Sequence, residues 1–147
     1  MPSAKKFFSP QEKEDIVLAI KSAELDTSGE IRVHIENRCP GDPRERAALL
    51  FRFLKMDRTR QRNGVLFYLA VKNRKFAIIG DEGINRVVPD GFWDEVRDVM
   101  LEHFREGRFA QGLVEGIQLA GKQLKEHFPY QTDDVNELSD DISFGNQ

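Results

Sequence analysis

The sequence predicts an α/β domain in which helices cover a mixed sheet. Two observations carry that expectation. Amphipathic stretches alternate with shorter apolar or alternating runs, in the order helix, strand, helix, strand, strand, helix, helix. The strand–helix–strand portion requires a crossover, which makes its two strands parallel, and the short turn after the second makes the third antiparallel. At 147 residues, with 39% hydrophobic content and 11 Phe, the chain has the length and apolar material for one domain with a core of its own.

Each element has a local signature. Ser9-Pro10-Gln11-Glu12 sets a cap, a first-turn proline and a capping-box glutamate ahead of Ile16, Val17, Ile20 and Leu25, so a helix begins there. Glu30 to Glu36 alternates polar and apolar residues strictly, predicting a half-buried strand of the kind found at a sheet edge. Asp42-Pro43-Arg44-Glu45 starts a second helix before Ala47, Leu50, Phe51 and Leu54. Gly64 to Val71 is almost wholly apolar, as expected of a central strand covered on both faces. Lys72 to Lys75 reads as a turn and Phe76 to Ile79 as a returning strand.

After a loop over residues 80–91, Asp90 is expected to cap a helix whose apolar face is Phe92, Trp93, Val96, Met100 and Phe104, closing near Gly107. Phe109 to Phe128 is the last helix, stopped by Pro129, with Gly112, Gly116 and Ala120 as a smooth stripe for close packing. Residues 1–129 thus form one domain. Residues 130–147 form a polar, acidic tail, partly docked through Tyr130, Leu138, Ile142 and Phe144.

Several classes are disfavoured. Cys39 is the sole cysteine, so an internal disulfide is impossible. MPSAKKFFSPQEKED lacks the apolar run of a signal peptide, and nothing approaches the roughly 18 apolar residues of a membrane helix. The expectation is a soluble cytoplasmic monomer that binds neither membrane nor nucleic acid. The basic stretch Lys55 to Arg62 lacks interleaved aromatics. No G-x-S-x-G elbow, P-loop or H-E-x-x-H is present, and His34, His103 and His127 lack metal-site spacing, reading as solvated or helix-end residues.

Charge is unevenly spread: residues 44–62 carry seven basic and two acidic side chains, residues 81–102 seven acidic and two basic. The predicted topology brings the start of the first strand (Thr27 to Glu30), the start of the second (Arg60 to Asn63) and the end of the third (Gly80 to Glu82) to one edge. Asp81, Glu82 and Asp90 are crowded there among Gly80, Gly83, Pro89 and Gly91. Like charges so placed destabilise a fold unless a cation sits among them. Hard oxygen donors suit Ca2+ or Mg2+. The expected metal ligands are therefore Asp81, Glu82 and Asp90, with Glu30 and Asn85, and the tail acids Asp133 and Asp134 either cover this site or make a second one. Arg60 and Arg62 are the expected catalytic residues, orienting a phosphate beside the ion. A plainer account stands beside this one: Asp90 a simple cap, Asp81-Glu82 a solvated turn, the arginines solvated charge and the tail disordered.

Thr27-Ser28-Gly29-Glu30-Ile31-Arg32-Val33, Asn63-Gly64-Val65-Leu66, Gly80-Asp81-Glu82-Gly83-Ile84 with Pro89-Asp90, and Phe104-Arg105-Glu106-Gly107-Arg108-Phe109 resemble the TPM-domain family. The run from Phe128 to Leu138 is similar to the family's small soluble bacterial branch. The resemblance implies a three-layer α/β/α sandwich, a mixed, mostly parallel sheet flanked by about four helices. It also implies divalent-cation binding at acidic loops and, in some members, phosphatase or nucleotide-hydrolysing activity; plant members act in the thylakoid lumen during photosystem repair. Where the family's loop reads closer to G-x-G-x-E-G, this chain has Asp81-Glu82-Gly83. Two readings follow: a weak metal-dependent phosphohydrolase acting on nucleotides or phosphomonoesters, or a non-catalytic calcium-binding interaction module.

Overall fold

Among the described residues four strands make one sheet in the order β3-β2-β1-β4, with β1 Glu30–Glu36, β2 Gly64–Ala70, β3 Lys75–Gly80 and β4 Ser143–Phe144. The structure is a computed structural model and describes residues 3–130 and 142–145. β1 runs parallel to β2, with Glu30 opposite Gly64, and parallel to β4, with His34 opposite Ser143. β3 returns antiparallel to β2, with Val65 opposite Gly80. The predicted directions of the first three strands therefore hold.

The helices are α1 Ala4–Phe7, α2 Pro10–Glu24, α3 Pro43–Phe53, α4 Glu82–Asn85, α5 Phe92–Arg105 and α6 Phe109–His127, with one 3-10 turn at Met56–Arg58. The two starts read from sequence form as expected. Ser9 Oγ accepts the Glu12 N–H at 3.1 Å while Glu12 Oε1 accepts the Ser9 N–H at 2.9 Å. Asp42 accepts the Arg44 N–H at 2.9 Å. Satisfying these orphan amides is what fixes where each helix begins.

Side-chain alternation sorts the molecule into three layers. Ile31, Val33 and Ile35 of β1, with Val65, Phe67 and Leu69 of β2, pack beneath α2, α5 and α6. On the opposite face Leu66, Tyr68 and Ala77 meet Ala47, Leu50 and Phe51 of α3 and Met56 of the 3-10 turn. A Cβ at Gly112 would stand 2.5 Å from the Phe104 ring, and one at Gly116 2.6 Å from Met100 Sδ, so the small-residue stripe admits side chains of α5. Backbone approach occurs at Gly121, where a Cβ would lie 2.7 Å from Ala23 Cβ and 3.0 Å from its Cα on α2.

Three local expectations need correction. β1 is no edge strand: β4 pairs on its outer side at His34 and Ile35, and on its polar face Glu30, His34 and Glu36 are buried and Arg32 half-buried. The loop over 80–91 contains α4, nucleated by its own cap, Asp81. Asp90 does not cap α5; Gly91 holds that position with φ of 77° and no side-chain cap bond. In the tail, Ile142 and Phe144 pack against the core and Tyr130 is exposed, its N–H donating to the Asp26 carbonyl at 3.0 Å. Leu138 lies outside the described residues. No helix among the described residues is long and apolar enough to cross a membrane.

Candidate functional site at the strand edge

The three strand ends meet as the topology requires. Asp81 N–H donates to the Gly64 carbonyl at 2.9 Å, Gly83 N–H to the Arg62 carbonyl at 2.8 Å, and Asn63 Nδ2 to Ser28 Oγ at 3.2 Å. The turn of α4 lies so tightly on the chain entering β2 that a Cβ at Gly83 would stand 2.1 Å from the Gln61 carbonyl oxygen. Arg62 itself sits in the left-handed region, φ 51°, a conformation disfavoured for a non-glycine residue.

That geometry aims the Arg62 guanidinium at the acids. Its Nε and Nη2 donate to the two oxygens of Asp81 at 2.8 and 2.9 Å, and its Nη1 reaches Glu82 Oε1 at 3.4 Å. Asp81 Oδ1 also accepts the Glu82 N–H at 2.8 Å, so the carboxylate caps α4 and anchors the arginine together. Asp81 is buried while Glu82 is exposed. The bonds it donates to Asp81, assisted by the nearby acids, push the Arg62 guanidinium above its already high ordinary pKa. The acidic crowding noted in the sequence is thus relieved within the chain by an arginine fork.

The other expected residues are distributed unevenly. Glu30 is buried at the first register position of β1, on the side of the sheet facing α3. Asn85 is committed on both sides of its amide: Nδ2 donates to the Gly80 carbonyl and Oδ1 accepts the Trp93 indole N–H, both at 2.8 Å. Arg60 is exposed on the approach to β2, and Asp90 is exposed beside a shallow hollow of about 270 Å3. Asp133 and Asp134 lie outside the described residues. Among the described residues no three His, Cys, Asp or Glu side chains are grouped to hold a metal ion.

Sequence reasoning missed a second polar cluster, at the other end of β1. Glu36, fully buried, accepts from Arg46 Nε at 3.1 Å, from Arg46 Nη2, from the Tyr68 hydroxyl at 2.6 Å and from His34 Nε2 at 3.2 Å. Burial raises the Glu36 carboxyl, but the bonds from Arg46, Tyr68 and His34 outweigh it and hold the group below its ordinary value. Burial depresses His34 in spite of Glu36, so the ring is neutral. With Nε2–H given to the carboxylate, Nδ1 accepts from Ser143 Oγ at 2.7 Å. Burial and the Glu36 bond raise Tyr68 out of any accessible titration range. The overlooked signal was a tyrosine inside an otherwise apolar strand, level with a histidine and near a glutamate on its neighbour.

Known proteins with this fold support the assignment that the motifs implied. The chain matches the BA42 protein of the psychrophilic bacterium Bizionia argentinensis at 48% identity, covering 99% of this chain and 100% of that one, with a TM-score of 0.88. An N-terminal domain from P. gingivalis shares the fold at 22% identity and a TM-score of 0.69, over 86% of this chain and 83% of that one. One from Corynebacterium glutamicum does so at 14% and 0.65, over 88% and 81%. No curated protein matches the chain. With residues 3–123 also matching the TPM domain itself, the chain belongs to the TPM-domain family.

Proposed function

We propose that the strand edge around Arg62 binds a divalent cation, Ca2+ or Mg2+, and that the protein is a slow metal-dependent phosphohydrolase of phosphomonoesters or nucleotides. One observation carries the reading: two hard-oxygen carboxylates, Asp81 and Glu82, converge on a single positive group, the Arg62 guanidinium, at 2.8 to 3.4 Å. Carboxylates that share one cation in this way fit an alkaline-earth ion in charge and donor type. Further ligands would come from Glu30, Asp90, loop carbonyls, water and the tail acids Asp133 and Asp134. When bound, the ion supplies Lewis-acid polarisation of a phosphoryl oxygen. The chain's own contribution is Arg62, whose planar fork of N–H donors, once released from Asp81, matches a phosphate, with Arg60 beside it.

A second reading has an observation of its own. Both Asp81 oxygens are already satisfied by Arg62 and the Glu82 N–H, which favours a binding module in which an ion only reinforces the loop. Titration with Ca2+ and Mg2+, followed by thermal melting together with phosphate release from p-nitrophenyl phosphate and ATP, tests both. At a hundredfold excess over Kd the ion adds about 2.7 kcal/mol, raising Tm by about 5–10 °C for a chain of this size. Asp81→Asn should abolish the shift and the turnover. Stabilisation without turnover selects the module, and no response to millimolar salt removes both.

A further inference from the structure

The far side of the sheet presents an open strand edge inside a charged groove. The Asp81 N–H bond to the Gly64 carbonyl fixes the phase of the β2–β3 ladder. Counting back along the register, Ile79 with Leu66, Ala77 with Tyr68 and Lys75 with Ala70 are the hydrogen-bonded pairs. The peptide groups of Phe76 and Ile78 therefore turn away from β2, to the side where, among the described residues, no further strand pairs with β3. They make no backbone hydrogen bond on that side within the described residues. At the end of this stretch the Gly80 carbonyl is closed off by Asn85.

A cavity of about 460 Å3 opens on this stretch of β3, with Phe76, Ala77 and Ile78 as its floor. The start of α3 forms one wall with Arg44, and the first turns of α5 form the other with Trp93 and Arg97. Trp93 is held in place through its bond to Asn85. Neither arginine forms an ion pair among the described residues. They flank the two faces of the sheet, because α3 packs on the face of Ala77 and α5 on the face of Phe76. Of the two acids lining the cavity, Asp42 accepts the Arg44 N–H as the α3 cap and Asp94 lies in the first turn of α5.

We infer that this groove binds an extended acidic segment of a partner protein, which adds to β3 as a further strand. The main chain of the segment pairs with the open groups of Phe76 and Ile78. Successive side chains of a strand point to opposite faces, so two adjacent acidic residues send one carboxylate towards Arg44 and the next towards Arg97.

The test uses the full 15N-labelled chain and two blocked hexapeptides. One carries adjacent Glu and Asp in a Val/Thr background, and the other carries Gln and Asn at those places. Amide shifts should concentrate on Phe76 and Ile78, with hydrogen exchange there slowed by the acidic peptide. That peptide should bind about tenfold tighter at low ionic strength and lose most of the advantage in about 0.5 M salt. Arg44→Gln and Arg97→Gln, both surface changes, should each lower the preference several-fold without moving Tm. Equal affinity for the two peptides, shifts elsewhere, or occupation of β3 by a second copy of the chain on concentration would each overturn the inference. Metal response and phosphate release do not enter these readouts, so this proposal stands or falls apart from the strand-edge function.

Discussion

Glu36→Gln is the most informative perturbation of this fold. The carboxylate has no exposure, and four donors converge on it, two from Arg46 and one each from Tyr68 and His34. Glutamine keeps the shape but offers one accepting oxygen and turns an NH2 towards groups that also donate. At least two of the four donors lose their acceptor, at about 1–3 kcal/mol for each buried group left unsatisfied. The Arg46 side chain is 28% exposed and can recover water, which lowers the total. The expected loss is about 2–4 kcal/mol, a fall in Tm of about 5–15 °C for this chain length. Urea unfolding at pH 7.5, run beside Tyr68→Phe as a milder loss of one donor, measures it. A Glu36→Gln variant within 1 kcal/mol of the parent would refute the buried, fully bonded network described above.

Other outcomes follow from the same geometry. His34 is depressed from 6.5 by burial and Glu36 is held below 4.5, so in both cases the unfolded chain takes up protons that the folded chain refuses. Stability should therefore be flat above pH 6.5, decline as pH falls below it, and decline again below 4.5; Tm measured from pH 8 to 4 reads this, and His34→Gln should remove the upper step. Gly83→Ala forces a Cβ to 2.1 Å from a carbonyl oxygen that cannot swing away; a loss of about 3 kcal/mol is expected by denaturant melting, with the Gly83–Arg62 backbone bond weakened as well. Were that variant as stable as the parent, α4 would not lie where it is placed.

Much of this arrangement was legible because it is local. Ser9 and Glu12 write a capping box, Asp42-Pro43 writes a helix start, and the near-absence of polar residues from Gly64 to Val71 marks a strand with two covered faces. The meeting of three strand ends followed from strand directions alone. What stayed hidden depends on neighbours distant in sequence. The alternation of β1 implied water on its polar side, whereas α3 sends Arg46 there and Ser143 and Gly145 lie against His34 and Glu36. Asp90 looked like a cap by residue type, but the φ of 77° at Gly91 gives that place to the glycine. Arg62 was correctly placed beside Asp81, but spacing alone could not reveal that the pair is already joined as a fork.

Gly145 passes so close over the His34–Glu36 pair that a Cβ there would fall 2.7 Å from Glu36 Oε1, and Ser143, two residues before it, reaches a histidine 109 positions earlier in the chain. During synthesis at about 5–20 residues per second, β1 waits roughly 5–20 seconds for that closing piece to emerge. Throughout the interval the outer flank of β1 stands unpaired, an edge that invites wrong associations. The outer flank of β1 is therefore closed from the far end of the sequence, more than a hundred residues after the strand itself is made.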